Sequence, residues 1–348
     1  MNRTIKWFEK QGYFEIMKYR RPHESKGEKQ FINRILIPEL KATGYKYKRD
    51  KAGNYFLQLG KKSQSNVLFS SHTDTVHNRM VPGLTQKLEI DENDMSLRSI
   101  QKECLGADDG TGMFLMFMLM RKKVPGLYVF HRGEERGGIG SSYIASDWKF
   151  DHIKQAVAFD RMNVSHVITH QGGQRCASEE YAEALAAQLT KHIGNDWEPN
   201  NGGSFTDTKN YTHLVPECTN LSVGYYRQHS MEEHQDLEFL YRFARNIHKI
   251  AWNKLPIVRD ATIRESLWSR TEDLVDLKVD TNFVISNAKA IATVLKNNFD
   301  DYELMEELKF AKLINNRVLS ASSNTRTPFD QSDLFSDLSP VEIQRKNL

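Results

Sequence analysis

Cysteine is scarce in this sequence: three in 348 residues, Cys104, Cys176 and Cys218, far apart and never as CxxC. An odd, scattered set excludes a disulfide framework and a thiolate metal site, and it suits buried thiols in a reducing compartment. Long hydrophobic runs are missing too, since no apolar stretch reaches the ~18 residues of a membrane span, so no membrane partner is expected. Charge of one sign is not in excess. The 48 basic and 45 acidic residues leave +3, with the basic residues scattered, which argues against nucleic acid as a partner. The opening MNRTIKWFEKQGYFEI carries acidic residues and no apolar centre, unlike a secretory signal, so the cytoplasm is the expected location. There is no internal repeat, and no low-complexity tract before the polar tail.

What is present alternates between strand and helix. Ser25-Lys26-Gly27-Glu28 reads as a capping box opening a helix to about Leu40, closed by Gly44. Strands are expected at 45–49 and 54–59, then at the apolar run Val67-Leu68-Phe69. Residues 77–103 read as polar and irregular. The segment MFLMFMLMRKK after Gly112 is apolar all round, which predicts a helix buried against a sheet. Strands at 127–130, 155–159, 164–169 and 219–225 follow, with helices up to about Ser146, from Ser178 to about His192, and from Asp236 to about Lys254. Such alternation predicts an α/β fold whose sheet is covered on both faces. The character changes after Lys254. The expected organisation is a domain over 1–254 and a helical C-terminal extension over 255–348, with helices near 281–296 and 302–319 and a mobile tail.

The chemistry-bearing residues stand next to apolar runs. In open α/β sheets, reactive groups collect beyond the carboxyl ends of strands. Two adjacent divalent cations need a bridging carboxylate, a His or carboxylate on either side, and a base for the water. His72 is a candidate imidazole ligand, and Asp74 could hold its other ring nitrogen. Asp108, among Gly106, Gly110 and Gly112, is a candidate bridge. Glu134 and Glu135 are adjacent, so in an extended segment their side chains diverge, one towards metal and one towards water. Asp160 at a strand end and His229 after another complete the set. Singly, each has a plainer meaning: a surface pair, a turn, a helix cap, a satisfied His. Their order and placement are the specific signal.

HTDTV, GADDGTG, GEERGG, FD and HSMEE, in that order, resemble the co-catalytic zinc exopeptidases of metallopeptidase clan MH: the zinc aminopeptidases, tripeptidases and glutamate carboxypeptidases. The resemblance covers about residues 24–254 and implies a three-layer α/β/α sandwich with a mixed, mostly parallel central sheet. It implies two Zn2+, with Co2+ or Mn2+ as substitutes. His72 and Asp160 would hold one ion, Glu135 and His229 the other, and Asp108 would bridge them through a segment with a cis Asp108–Asp109 bond. Glu134 would be general base and then acid, with Asp74 orienting His72. Either aspartate of GADDGTG could be the bridge, and the family's spacing to the last glycine selects Asp108. His229 or His234 could be the last ligand, and the HSxxE pattern selects His229.

Relatives of the carboxypeptidase and tripeptidase branch insert a lid domain between the fourth ligand and the last His. Here 69 residues separate Asp160 from His229, and core elements fill most of them. The lidless aminopeptidase branch is therefore expected, with the Gly202–Thr208 loop near substrate and Asp207 or Thr208 in contact with it. The implied substrate is a peptide or amino-acid derivative, and a homo-oligomer is compatible. Two other readings remain: a dipeptidase, tripeptidase or N-acyl-amino-acid deacylase on the same metals, or a catalytically degenerate binding or regulatory protein.

Overall fold

The computed structural model describes residues 2–263. The chain divides into two units, Met1–Asp276 and Leu277–Leu348, and the described residues all lie in the first. The expected boundary after Lys254 therefore falls inside that unit. Leu255 is buried, and Arg259 donates from its backbone to the buried Glu217 carboxylate at 2.9 Å. The helices expected near 281–296 and 302–319 lie outside the described residues.

Along the chain come helices α1 (Arg3–Gln11), α2 (Tyr13–Met17), α3 (Lys26–Phe31) and α4 (Ile37–Ala42), the last two joined by a π-helical turn over Ile32–Leu36. Ser25 caps α3 by accepting from Glu28 N, and Gly44 at φ +78 follows α4. Strands β1 (Tyr47–Arg49), β2 (Tyr55–Leu59), β3 (Val67–His72), β4 (Leu88–Asp91) and β5 (Ser96–Ser99) precede α5 (Ala107–Arg121). Then come β6 (Gly126–His131), α6 (Ile139–Ser146), β7 (Gln155–Arg161), β8 (His166–Ile168), the small hairpin β9 (His170–Gln171) and β10 (Gln174–Arg175), and α7 (Glu179–Ile193). The last elements are β11 (Glu198–Asn200), β12 (Glu217–Ser222), β13 (Tyr225–Tyr226), β14 (His234–Asp236) and α8 (Leu237–Asn246).

Eight strands form the main sheet in the order β1-β2-β6-β3-β7-β12-β8-β11. The four central strands run parallel, while β1, β2 and the β12–β8 pair introduce antiparallel contacts, so the sheet is mixed as expected. Alternation along the strands sends side chains to two cores. Val67, Phe69, Tyr128, Phe130, Val157 and Phe159 enter one with α5, whereas Leu68, Leu127, Val129 and Ala156 enter the other with Ile144 of α6. Helix α5 is buried from Ala107 to Met120, which is why it is apolar all round. Strand β3 lies between β6 and β7, so the chain passes to one side of it and then to the other. That reversal is a switch point, the place where open α/β sheets bind ligands.

Residues 77–103 depart from the irregular expectation. β4 and β5 form a hairpin in a second sheet of order β13-β14-β5-β4. Its side chains are largely polar, so no hydrophobic period announces it, and backbone pairing of His234↔Arg98 and Asp236↔Ser96 builds it. His234, the alternative to His229 as last ligand, lies in that sheet. Among the described residues, no helix is long and apolar enough to cross a membrane.

Candidate metal centre

The parallel strands deliver their chemistry at one end. β3 ends in His72, whose Nδ1 donates to the Asp74 carbonyl at 3.0 Å and leaves Nε2 facing the neighbouring acids. That Nε2 is 3.0 Å from Asp108 Oδ1 and 3.7 Å from Asp160 Oδ1. Asp108 Oδ2 is 3.1 Å from His229 Nε2, which is itself 3.2 Å from Glu135 Oε1. The residues thus form two triads, His72–Asp108–Asp160 and Asp108–Glu135–His229, each with ligand atoms within 4.8 Å of one another. Asp108 belongs to both. His229 adopts a left-handed backbone at φ +63, a region sparsely used by residues with a side chain.

Asp108 and Asp109 separate in role. Across a cis peptide bond, Asp108 faces the two imidazoles while Asp109 turns into the protein. Asp109 Oδ2 accepts from Ser71 Oγ at 2.5 Å and His72 N at 3.1 Å, and its Oδ1 accepts from Gly112 N at 2.9 Å. A Cβ at Gly112 would come within 2.2 Å of Asp109 Oδ1 and 2.6 Å of Phe159 O, so only glycine allows this approach.

After β6, Gly133 at φ +74 opens a 3₁₀ turn over Glu134–Arg136 in place of the expected extended segment, and both carboxylates reach the cluster, within 4.8 Å of each other and of the His72 ring. Glu134 Oε2 lies 3.9 Å from His72 Nε2, on the side of the first triad. Asp74 does not hold the His72 ring through its carboxylate as expected, because Oδ1 is 3.8 Å from Nδ1. It accepts instead from Gly133 N at 2.8 Å and Glu134 N at 3.3 Å, while its backbone carbonyl fixes the imidazole. Asp207 and Thr208, expected to contact substrate, are buried and engaged elsewhere. Asp207 Oδ2 is 3.2 Å from His131 Nδ1, and Thr208 Oγ1 accepts from Gln171 Nε2 at 3.1 Å. Their loop does reach the cleft, through Gly203, Ser204 and Phe205, beside Asp108, Glu134, Asp160 and His229.

Burial and crowding set the protonation of the cluster. Burial alone would lower His72, yet hydrogen bonds with Asp108 and Asp160 hold it well above its usual value, and Glu135 and Asp108 do the same for His229. Burial, reinforced by Asp108, pushes Asp160 up to about 7. Burial also drives Glu134 well above the usual carboxylate range, with Asp160 and Glu135 adding to the rise. For Asp108 the burial penalty is outweighed by hydrogen bonds to His229 and His72, so it is held low.

Three supporting residues had only faint sequence signals. Buried Glu233 accepts from the backbone N–H of Gly106, Ala107 and Asp108 at 3.0, 2.7 and 3.2 Å, fixing the start of α5. It closes the HSMEE motif, which was its one hint. Tyr225 donates its hydroxyl to Asp160 Oδ1 at 3.0 Å, and Asn220 exchanges two hydrogen bonds with the Asp160 backbone at 2.6 and 2.8 Å.

Two imidazoles and three carboxylates, with no thiol among them, suit a pair of borderline or hard divalent cations. Buried Glu135 Oε1 faces the His229 ring at 3.2 Å without an aligned hydrogen bond, a pairing that a shared cation would complete.

Residues 54–229 match the sequence profile of peptidase family M28. No curated protein sequence matches the chain. Solved structures share its fold at low identity. Aminopeptidase PepT from Bacillus cereus ATCC 10987 gives a TM-score of 0.58 at 15% identity, covering 71% of this chain and 96% of that one. A tripeptidase from Staphylococcus aureus subsp. aureus Mu50 gives 0.56 at 16%, covering 69% and 96%. The TET1 peptidase of Pyrococcus horikoshii, which can assemble into a tetrahedron or a large octahedral shell, gives 0.54 at 15%, covering 72% and 99%.

Proposed function

Because the chain belongs to peptidase family M28 and is a metal-dependent exopeptidase, we propose that it is a two-zinc aminopeptidase that removes N-terminal residues from peptides. His72 and Asp160 would hold one ion, Glu135 and His229 the other, and Asp108 both, with Co2+ or Mn2+ as substitutes. The observation that carries this reading is the sharing of Asp108 between two triads with Glu134 beside them. When bound, such a pair lowers the pKa of a water and polarises the scissile carbonyl.

The chain's own residues supply the rest. Glu134 takes the proton of the attacking water on its carboxylate and returns it to the leaving amine. Its burial keeps the carboxyl basic enough to accept that proton. Asp74 holds the Glu134 backbone through the Gly133 and Glu134 N–H groups, so the base is set by the same residue whose carbonyl aims His72. Glu233 fixes the loop that carries Asp108.

Glu134→Gln tests the assignment. The variant should bind zinc at the wild-type stoichiometry and lose about 10²–10⁴-fold in kcat, the range of a general base. Near-normal turnover with full metal would remove Glu134 from this role.

A further inference from the structure

We infer that two glutamines in the wall of the cleft, Gln171 and Gln228, receive the free N-terminal amine of the substrate on their side-chain oxygens. The inference rests on the peptidase reading and names the end of the substrate that the same site selects. Gln171 lines the cleft from β9 and is 1% exposed. An isolated β-bridge sets it beside Gly203, another wall residue. Its Nε2 is committed, donating to Thr208 Oγ1 at 3.1 Å and Cys176 Sγ at 3.6 Å. Thr208 Oγ1 turns its own proton to Thr219 O at 3.5 Å, so it accepts from the glutamine, which fixes the nitrogen end of the carboxamide. Neither Thr208 nor Cys176 is among the described residues lining the cleft, so the oxygen is the end left for it. That Oε1 is buried without a hydrogen bond. Gln228, immediately before His229, brings a second buried Oε1 without one to the same wall.

A buried acceptor without a donor is costly to keep, and a bound N–H removes that cost. The other acceptors of the wall are claimed or in solvent. Asn220 exchanges both ends of its carboxamide with the Asp160 backbone, and the Tyr225 hydroxyl serves Asp160 Oδ1. Asp108 and Asp160 belong to the ions in the peptidase reading and Glu134 to the water, while Ser204 is exposed. The cleft encloses about 80 Å³, well under the ~300 Å³ of a pocket for a drug-sized ligand, so it takes the end of a chain. In a peptide cut after its first residue, the amine nitrogen is about 2.5 Å from the scissile carbonyl carbon, so its acceptors must stand in this wall. A free ammonium offers three N–H groups, whereas an acylated nitrogen keeps one and adds a carbonyl. The two glutamine oxygens therefore favour a free amino terminus over an acylated one.

Two compounds test this on the metal-loaded protein: Leu-anilide as substrate, and the same anilide with hydrogen in place of the amine as competitive inhibitor. Gln171→Met removes the acceptor and Gln171→Glu keeps one. Both lose the hydrogen bond to Thr208, so the pair of variants isolates the oxygen. Gln171→Met should raise the KM for Leu-anilide about tenfold or more, while the Ki of the amine-free compound moves by less than about twofold. Gln171→Glu should hold that KM within about threefold of wild type, since a carboxylate also accepts from an ammonium. Gln228→Met and Gln228→Glu should repeat the pattern, which keeps the test open if a Gln171 variant fails to fold. Equal shifts for the two compounds, no shift in either, or faster hydrolysis of N-acetyl-Leu-anilide than of Leu-anilide overturns the proposal. Hydrolysis of neither anilide by the wild type would count against the peptidase reading instead. In that case, calorimetric binding of Leu-anilide and its amine-free counterpart to wild type and variants decides the amine preference, with the same outcomes.

Discussion

Arg21 and Asp108 both meet the start of α5, and their surroundings are opposites. The Arg21 guanidinium is fully buried and donates to three backbone carbonyls, Thr73 at 3.0 Å, Gly106 at 3.0 Å and Ile16 at 3.1 Å. Buried Glu28 is equally well served, accepting from Arg132 Nε and Nη2 at 2.6 and 2.8 Å and from Thr73 Oγ1 at 2.7 Å. These groups repay their desolvation inside the protein. Asp108, Asp160, Glu134 and Glu135 crowd instead around two imidazoles. Like charges held together cost stability unless something external balances them. The first set builds the loops, and the second is held ready by them.

The largest effect should come from breaking the satisfied set. Arg21→Met would take a donor from three backbone carbonyls, leaving that of Thr73 the most exposed to the loss, and remove a buried cation that interacts with Asp109 and Glu233. Removing one partner of a buried charged network typically costs about 3–5 kcal/mol. Urea unfolding of metal-loaded protein should show a loss in that range, and a loss under about 1 kcal/mol would mean the guanidinium is not the brace described.

The unsatisfied set should give a smaller effect of a different kind, visible in pH dependence. Burial first, then neighbouring acids, raises Asp74, Asp160 and Glu233 to about 7, and His72 and His229 also sit above their usual values. For each raised group the folded protein binds more protons than the unfolded chain between the two pKa values. Stability is therefore present at low pH and lost as pH rises through the folded pKa. Chelator-treated protein should lose stability between pH 6 and pH 8, each raised group contributing at most about 1.4 kcal/mol per pH unit. Zinc-loaded protein should lose less over the same window, since its ligands are already deprotonated by the metal. Equal losses in the two forms would show that these residues do not bind the metal.

The same division explains what could be read from the sequence. His72, Asp108, Glu134, Glu135, Asp160 and His229 each border an apolar or glycine-marked run, so strand ends announced them. Glu28 reads as a helix-capping residue and Arg132 as an ordinary strand-end charge, and nothing local to Arg21 or Arg132 tells a buried guanidinium from an exposed one. The β4–β5 hairpin stayed hidden because backbone pairing to β14, rather than a hydrophobic face, creates it. Asp207 and Thr208 belong to a loop that lines the cleft through Gly203, Ser204 and Phe205, while their own side chains meet other partners. Sequence located the loop at the cleft, but only its short 3₁₀ turn over Asp207–Tyr211 decides that these two side chains point towards His131 and Gln171.

Asp74 stands on the border between the two sets, which makes it the finest test of the comparison. Its Oδ1 accepts from Gly133 N and Glu134 N, as a satisfied structural acid would, while its Oδ2 is buried without a hydrogen bond. Asp74→Asn keeps the shape and the backbone carbonyl that aims His72, and it replaces a charged acceptor by a neutral one. The expected cost is about tenfold in kcat, the lower end for a group supporting metal ligands. Zinc affinity should fall by less than for His72→Ala, which removes a ligand outright. The split matters more than the size. If Asp74 works chiefly by setting the Glu134 loop, kcat falls while zinc binding barely moves. A fall in zinc affinity matching that of His72→Ala would return Asp74 to the role of His72 partner, against the 3.8 Å that separates carboxylate and ring.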